Sequence, residues 1–342
     1  MIYLSHLVRT DRLARLVRVE KTFSTKPYMQ KIFLRLLYIA TRIRHSEVPK
    51  KYRNYIRDNY YSRLLQANYF YQDYINKKTY KVISYHGEFQ QELTFVLPFA
   101  YWHHLNGTLS QTISCTNTKE LYFFSKNHVE HFTERDWMHD EQYEIPNMTH
   151  NRDFSYKKWA RVPLKETYKN DIFVFDKPLL IIANKYNTEW EQSPLNYFNK
   201  KTLEKIFLAY GDKYQIVYNR PSVKEIVHDN SWILDLDEFQ WIRDNFPGVL
   251  LLSDLMPSDN SVVKNFNHLQ LMVYANCSRF ISVHGGTSAL ASYFGGVNII
   301  LSKSGIEHYF KEFETIFPAL SGAKILHATT EEKIFKYLKE HY

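Results

Sequence analysis

The sequence predicts an α/β protein with two Rossmann-like domains, each built on a parallel sheet. Three observations point there. The 342-residue length exceeds one small module and suits about two domains at ~100–200 residues each. With 44% hydrophobic and 23% charged residues, the chain can build a real core. From residue 81 onward, short apolar runs alternate with helical patterns, the rhythm that parallel sheets require.

Residues 1–80 come first and read differently. They hold 17 Lys and Arg against 5 Asp and Glu, whereas the remaining residues hold 27 against 31, within a total of +8. Arg9, Arg12, Arg15 and Arg18 recur among Leu13, Leu16 and Val17. A second stretch, Lys31 to Arg44, alternates Ile32, Phe33, Leu36, Leu37 and Ile39 with Lys31, Arg35, Arg42 and Arg44. Both predict helices with an apolar and a cationic face. Two partners fit residues 1–45: the rest of the first domain, with charges turned outward, or an anionic membrane surface. Nucleic acid is disfavoured, since no RNP, zinc-finger or helix-turn-helix pattern occurs. Residues 50–80 are tyrosine-rich and helical in pattern.

The first Rossmann-like domain is placed at 81–172. Lys81–Tyr85 predicts a strand, His86-Gly87-Glu88 a turn, and Phe89–Leu105 a helix stopped by Asn106-Gly107. Thr108–Ser114 and Leu121–Phe124 are further strand candidates, and 126–170 reads as a long polar loop. The second domain, 173–328, is clearer. Strands are predicted at Pro178–Ala183, Tyr214–Tyr218, Val249–Leu252, Arg279–Val283 and Val297–Leu301, the last of the series. Helices are predicted at Lys201–Tyr210, Glu238–Asp244, Phe266–Ala275 and Ala289–Phe294, the last stopped by Gly295-Gly296. Thr329 and Glu332 form a capping box that starts a closing helix, 329–342.

Ligands of open α/β sheets bind beyond the carboxyl ends of the strands. Asn184 and Lys185, Arg220, and His284-Gly285-Gly286-Thr287-Ser288 occupy three such ends. Two glycines between strand and helix let a ligand approach the backbone, and the following helix start with its two hydroxyls suits a phosphate. Arg220 and Lys185 could supply the countercharge. The alternative is a tight turn whose glycines serve packing and whose hydroxyls serve capping.

The run NCSRFISVHGGTSALASYFGGVNIILSKSGIEH resembles the nucleotide-sugar-binding half of GT-B glycosyltransferases. LLIIANKYNTEW and YQIVYNRP resemble the first two strand-loop units of that half, and Lys81–Ser114, with HGEFQQEL, the opening of a GT-B acceptor domain. The resemblance covers about residues 81–342 and implies transfer of a sugar from a nucleotide-sugar donor to a glycan or lipid-linked acceptor. It places Gly285, Gly286, Thr287 and Ser288 on the diphosphate or adjoining sugar, with Asn184 and His284 beside them. Arg220, assisted by Lys185, would neutralise the leaving group, and Glu307 would meet the nucleotide ribose. It further implies a closing helix that crosses back to the first domain. Retaining members often carry a second glutamate eight positions on, where this chain has Thr315, so an inverting mechanism is expected. Its general base is Glu88, with His86 as the alternative; Glu88 at the first turn of a helix could equally be a dipole-favoured residue.

Other chemistries are disfavoured. Asp235-Leu236-Asp237 matches the metal-holding pattern of GT-A enzymes but precedes a helix that acidic residues cap, so the donor is expected to bind without metal or other cofactor. No HExxH or Cys/His ligand spacing occurs, and Cys115 and Cys277 alone make no disulfide framework. His284-Gly285-Gly286 matches an esterase oxyanion segment, but no Gly-x-Ser-x-Gly elbow accompanies it. Gly-x-Gly-x-x-Gly and Walker loops are absent. Cysteine scarcity and the lack of an apolar span or signal segment predict a cytoplasmic protein, at most peripheral on the inner face of a membrane. A non-catalytic carbohydrate- or nucleotide-binding protein, and a nucleic-acid binder using the basic head, are the rival functions.

Overall fold

The computed structural model describes residues 27–136, 144–148, 150, 152–188, 193–222, 224–227, 231–258 and 262–342. The arginine-spaced stretch at 9–18 lies outside the described residues. The chain begins with helix α1 (Pro27–Arg44), which packs against α2 (Arg53–Asn68) as a hairpin, with Phe33 and Tyr61 in ring contact at 5.9 Å. The other end of the hairpin reaches the second unit, where Tyr52 stacks on Tyr309 at 4.4 Å.

The first unit has a parallel sheet in the order β1 (Lys81–Ser84), β2 (Leu109–Cys115), β3 (His128–Phe132). A rod of α3 (Phe89–Gln91), a π-turn (Glu92–Val96) and α4 (Leu97–Leu105) connects β1 to β2. Pro98 sits inside this rod and has no N–H for the Thr94 carbonyl four residues back. The Trp159 indole N–H donates to that carbonyl at 3.0 Å, so the buried acceptor is satisfied. Two expectations change here. Leu121–Phe124 forms a turn, and the stretch 126–170 contains β3 and α5 (Leu164–Tyr168).

The second unit is a six-stranded parallel sheet in the order β6-β5-β4-β7-β8-β9. Its strands are β4 (Leu179–Ala183), β5 (Gln215–Asn219), β6 (Leu250–Leu251), β7 (Arg279–Val283), β8 (Val297–Leu301) and β9 (Lys324–Ala328). Renumbered within the unit this is the Rossmann order 3-2-1-4-5-6, with the switch point between β4 and β7. Both faces are covered, which is why β4 is continuously apolar. The buried polar side chains of the neighbouring strands are paired, as Ser282 of β7 is with Asn298 of β8 at 2.8 Å. Leu179, Ile181 and Ala183 join one core, and Leu180 and Ile182 the other. The second core is closed by α6 (Lys200–Tyr210), α7 (Glu238–Asn245) and α12 (Glu331–His341) through Leu203, Ile206, Ile242, Ile334 and Leu338. Each such large apolar side chain contributes roughly 1.5–3 kcal/mol when fully buried. Against the first core lie α8 (Phe266–Ala275), α9 (Gly286–Ala291) and α11 (Glu312–Ser321), with the short α10 (Ile306–Phe310) leading into α11.

Two further corrections concern the C-terminal end. β9 follows β8, so Val297–Leu301 is not the last strand. The closing helix is capped by Thr330, which accepts from Lys333 N, rather than by Thr329. It packs on β8 and β9 of its own unit instead of crossing to the first, and Tyr342 anchors it by donating to the Phe280 carbonyl at 2.7 Å.

Candidate active site between the two sheets

The carboxyl ends of β4 and β7 bring Lys185 and the Gly285-Gly286 turn together. Gly285 has φ 116°, a conformation that an L side chain rarely adopts. The Lys185 amine lies 3.4 Å from the point where a Cβ on Gly285 would stand. Gly286 is required for space: a Cβ there would come within 2.7 Å of the Phe89 ring, contributed by the first unit. Gly285, Gly286 and Thr287 are half-exposed, so the turn is reachable from solvent although Phe89 packs on one side.

The remaining predicted donor residues divide. The Thr287 hydroxyl donates to the Val283 carbonyl at 2.7 Å and the Ser288 hydroxyl to the Gly285 carbonyl at 2.8 Å. Both hydroxyls therefore brace the turn by donating to its carbonyls, and neither makes a side-chain cap at the start of α9. Asn184 is fully buried and spends its amide on the Phe198 backbone and the Tyr218 hydroxyl, so it holds the loop rather than facing a ligand.

Arg220 is the largest correction. It is 5% exposed, and its guanidinium donates to both oxygens of Glu238, to Asp235 Oδ1 at 3.3 Å and to the Leu234 carbonyl at 3.3 Å. Phe239 lies against it at 4.5 Å, and Glu238 itself is completely buried. Four guanidinium hydrogen bonds go to its own unit and clamp the end of β5 to the start of α7. Asp235 also accepts from the Asp237 backbone at 3.0 Å, so the Asp235-Leu236-Asp237 segment serves the clamp and the turn into the helix.

His284 and Glu307 form a buried pair, His284 Nε2 donating to Glu307 Oε1 at 2.9 Å. His284 Nδ1 lies 3.1 Å from Ser302 Oγ, which in turn lies 2.7 Å from His308 Nε2. Burial pushes His308 down to about 4, with the neighbouring His327 and His284 adding to it. For Glu307, burial would raise the carboxyl, but the His284 hydrogen bond and charge, helped by His150, hold it at about 2. Gln90 of the first unit donates to Glu307 Oε1 at 3.4 Å.

The folded carboxyl of Glu307 thus titrates below the ordinary 4.5. Above that value both folded and unfolded chains are ionised, and the stabilisation is complete. As pH falls from 4.5 toward 2, the unfolded chain binds a proton that the folded one refuses, so stability is lost across that window. Urea midpoints measured from pH 6 down to the acid limit should show this slope, and Glu307→Gln should reduce it. An unchanged slope in the variant would remove Glu307 as its source.

From the first unit, Glu88 is exposed at the N-cap of α3, where its side chain makes no capping hydrogen bond. Its loop is fixed from beneath. Arg135 Nη1 donates to the Gly87 carbonyl at 2.8 Å, Asp136 N to the His86 carbonyl at 2.8 Å, and the His86 ring stacks on Phe132 at 4.2 Å. Arg135 is in turn held by Glu92 at 2.6 Å, a carboxylate that also accepts from Tyr122 and Ser114. Tyr55 and His150 lie in the electrostatic field of both Glu88 and Glu307. Burial would lower the His150 imidazole, yet the Glu312 carboxylate 2.6 Å away raises it.

Sequence reasoning missed Gln90, Tyr55, His150 and Ser302. The Gln90–Glu307 contact spans 217 positions, and no local pattern announces such a pairing. A separate concavity of about 370 Å³ lies at the ends of β5 and β6, lined by Asn117, Lys224, Glu225, Ser253, Met256 and Phe266. None of the predicted site residues is among those six.

The two Rossmann-like units pack together, with Phe89 and Gln90 of the first meeting Gly286 and Glu307 at the strand ends of the second. No family model matches the chain, and no curated protein matches it significantly. Among solved structures, a glycosyl transferase of family 9 from Veillonella parvula is similar over 79% of this chain and 90% of its own, at 9% identity and TM-score 0.43. The E. coli heptosyltransferase WaaC with ADP is similar over 82% and 78%, at 11% identity and TM-score 0.34. The wall teichoic acid polymerase TagF, H548A, is similar over 89% and 88%, at 12% identity and TM-score 0.32. No helix among the described residues is long and apolar enough to cross a membrane.

Proposed function

We propose that the chain is a glycosyltransferase that moves a sugar from a nucleotide-sugar to a hydroxyl of a glycan or lipid-linked acceptor. The observation that carries this is the meeting of the Lys185 amine with the Gly285 turn at the β4/β7 switch point, beside Phe89, the residue after Glu88. Lys185 would neutralise the diphosphate, and the glycines would let it approach the backbone. Glu88 would take the proton from the acceptor hydroxyl as its oxygen bonds to the anomeric carbon. The bond from that carbon to the phosphate oxygen breaks with its electron pair remaining on the diphosphate, an inverting displacement that needs no metal once Lys185 supplies the charge. His284 and Glu307 would form the polar wall beside the sugar.

A thermal-shift screen with UDP, GDP, CMP and ADP and their sugars tests the donor half. A nucleotide present at 100 times its Kd should stabilise the fold by about 2.7 kcal/mol. Lys185→Ala should weaken that nucleotide about tenfold or more, the loss of one charge-assisted contact. No shift with any nucleotide removes the donor site. Shifts without turnover on any acceptor leave a binding protein of the same fold.

A further inference from the structure

We propose that α1 is a docking face for an anionic lipid surface. The helix is apolar on two sides. Leu34, Leu37 and Thr41 turn inward, with Thr41 fully buried, and Phe33 reaches Tyr61 of α2. That side accounts for the packing of the hairpin. Ile32, Leu36, Ile39 and Ile43 follow at spacings of four, three and four and form a second stripe pointing away from it. They are 37%, 60%, 54% and 75% exposed. A helix whose only role was to cover the first unit would carry polar residues there.

The charges beside that stripe identify its occupant. Lys31, Arg35 and Arg42 recur along one flank and Arg44 lies on the other, all exposed, and residues 27–44 contain no acidic side chain. An apolar stripe bordered by cations suits the boundary between acyl chains and anionic headgroups. A second copy of the chain fits poorly, because two α1 helices meeting face to face would bring the cationic flanks together with no carboxylate on either. The helix is too charged to span a bilayer and would lie in its surface.

Co-sedimentation of the full chain with vesicles tests the assignment. Vesicles of phosphatidylglycerol and phosphatidylcholine at 1:3 should bind the protein, and pure phosphatidylcholine should bind it at least about tenfold less. Raising NaCl from about 50 mM to about 500 mM should weaken binding, since surface charges are screened. The variant I32S/L36S/I39S/I43S should lose about tenfold or more in partitioning. R35E/R42E should lose anionic-vesicle binding while leaving the stripe intact. Circular dichroism and thermal unfolding check that each variant stays folded.

Equal binding to neutral vesicles overturns the proposal. Full binding by the serine variant also overturns it, since the attachment would then belong to cations elsewhere. So does a dimer in analytical ultracentrifugation that the serine variant dissolves, which would give the face to a second copy.

Discussion

Arg220→Ala is expected to destabilise the protein by about 3–5 kcal/mol, because it strips a fully buried carboxylate of its partner. Glu238 would keep only the Tyr218 hydroxyl, at 3.0 Å, of its present side-chain donors. Replacing both members, as in Arg220→Met with Glu238→Leu, should cost less than the single change, since no buried charge is then left unpaired. Urea denaturation decides it: the midpoint should fall in the single variant with little change in slope, and recover in part in the double. A single variant of unchanged midpoint that has lost nucleotide binding would return the guanidinium to the ligand.

Glu88→Gln is expected to lower sugar transfer by about 10²–10⁴-fold, the usual contribution of a general base. Its stability should change by no more than about 0.5 kcal/mol, because the side chain is exposed at the surface. Nucleotide-induced thermal shifts should persist, since the donor elements sit on the other unit. Loss of turnover with retained nucleotide binding is the signature of a missing base. Full turnover would move the base to His86 or to the pair at His284 and Glu307.

The interior of the second unit and its β6 edge are plain in the sequence, whereas its β9 edge and the first unit's β3 are not. Leu179–Ala183 and Phe280–Val283 are buried on both faces, so the largely apolar run itself marks each strand. β3 and β9 are edge strands; His128, Glu130, His131, Lys324 and His327 face water or polar neighbours and break the apolar signal. The helix starting at Glu331 was visible, but two adjacent threonines left its cap one residue uncertain. In the site, Lys185 and the glycine turn could be found because both end neighbouring strands. Arg220 and Asn184 occupy equally suggestive positions, and only their partners reveal what they do. Glu238 lies eighteen residues from Arg220 and reads in the sequence as an ordinary first-turn acid.

One hydrophobic core runs through both units. It includes Ile83, Leu93 and Phe99 of the first and Phe280, Phe294 and Phe313 of the second. Tyr293 of the second unit donates its hydroxyl to the Leu93 carbonyl of the first, inside the π-turn, and Phe89 presses on Gly286 close by. Swinging the units apart like a clamshell would wet that seam of aromatic side chains and strand a buried hydroxyl. An isolated half of this chain would therefore carry a raw greasy surface where its counterpart belongs.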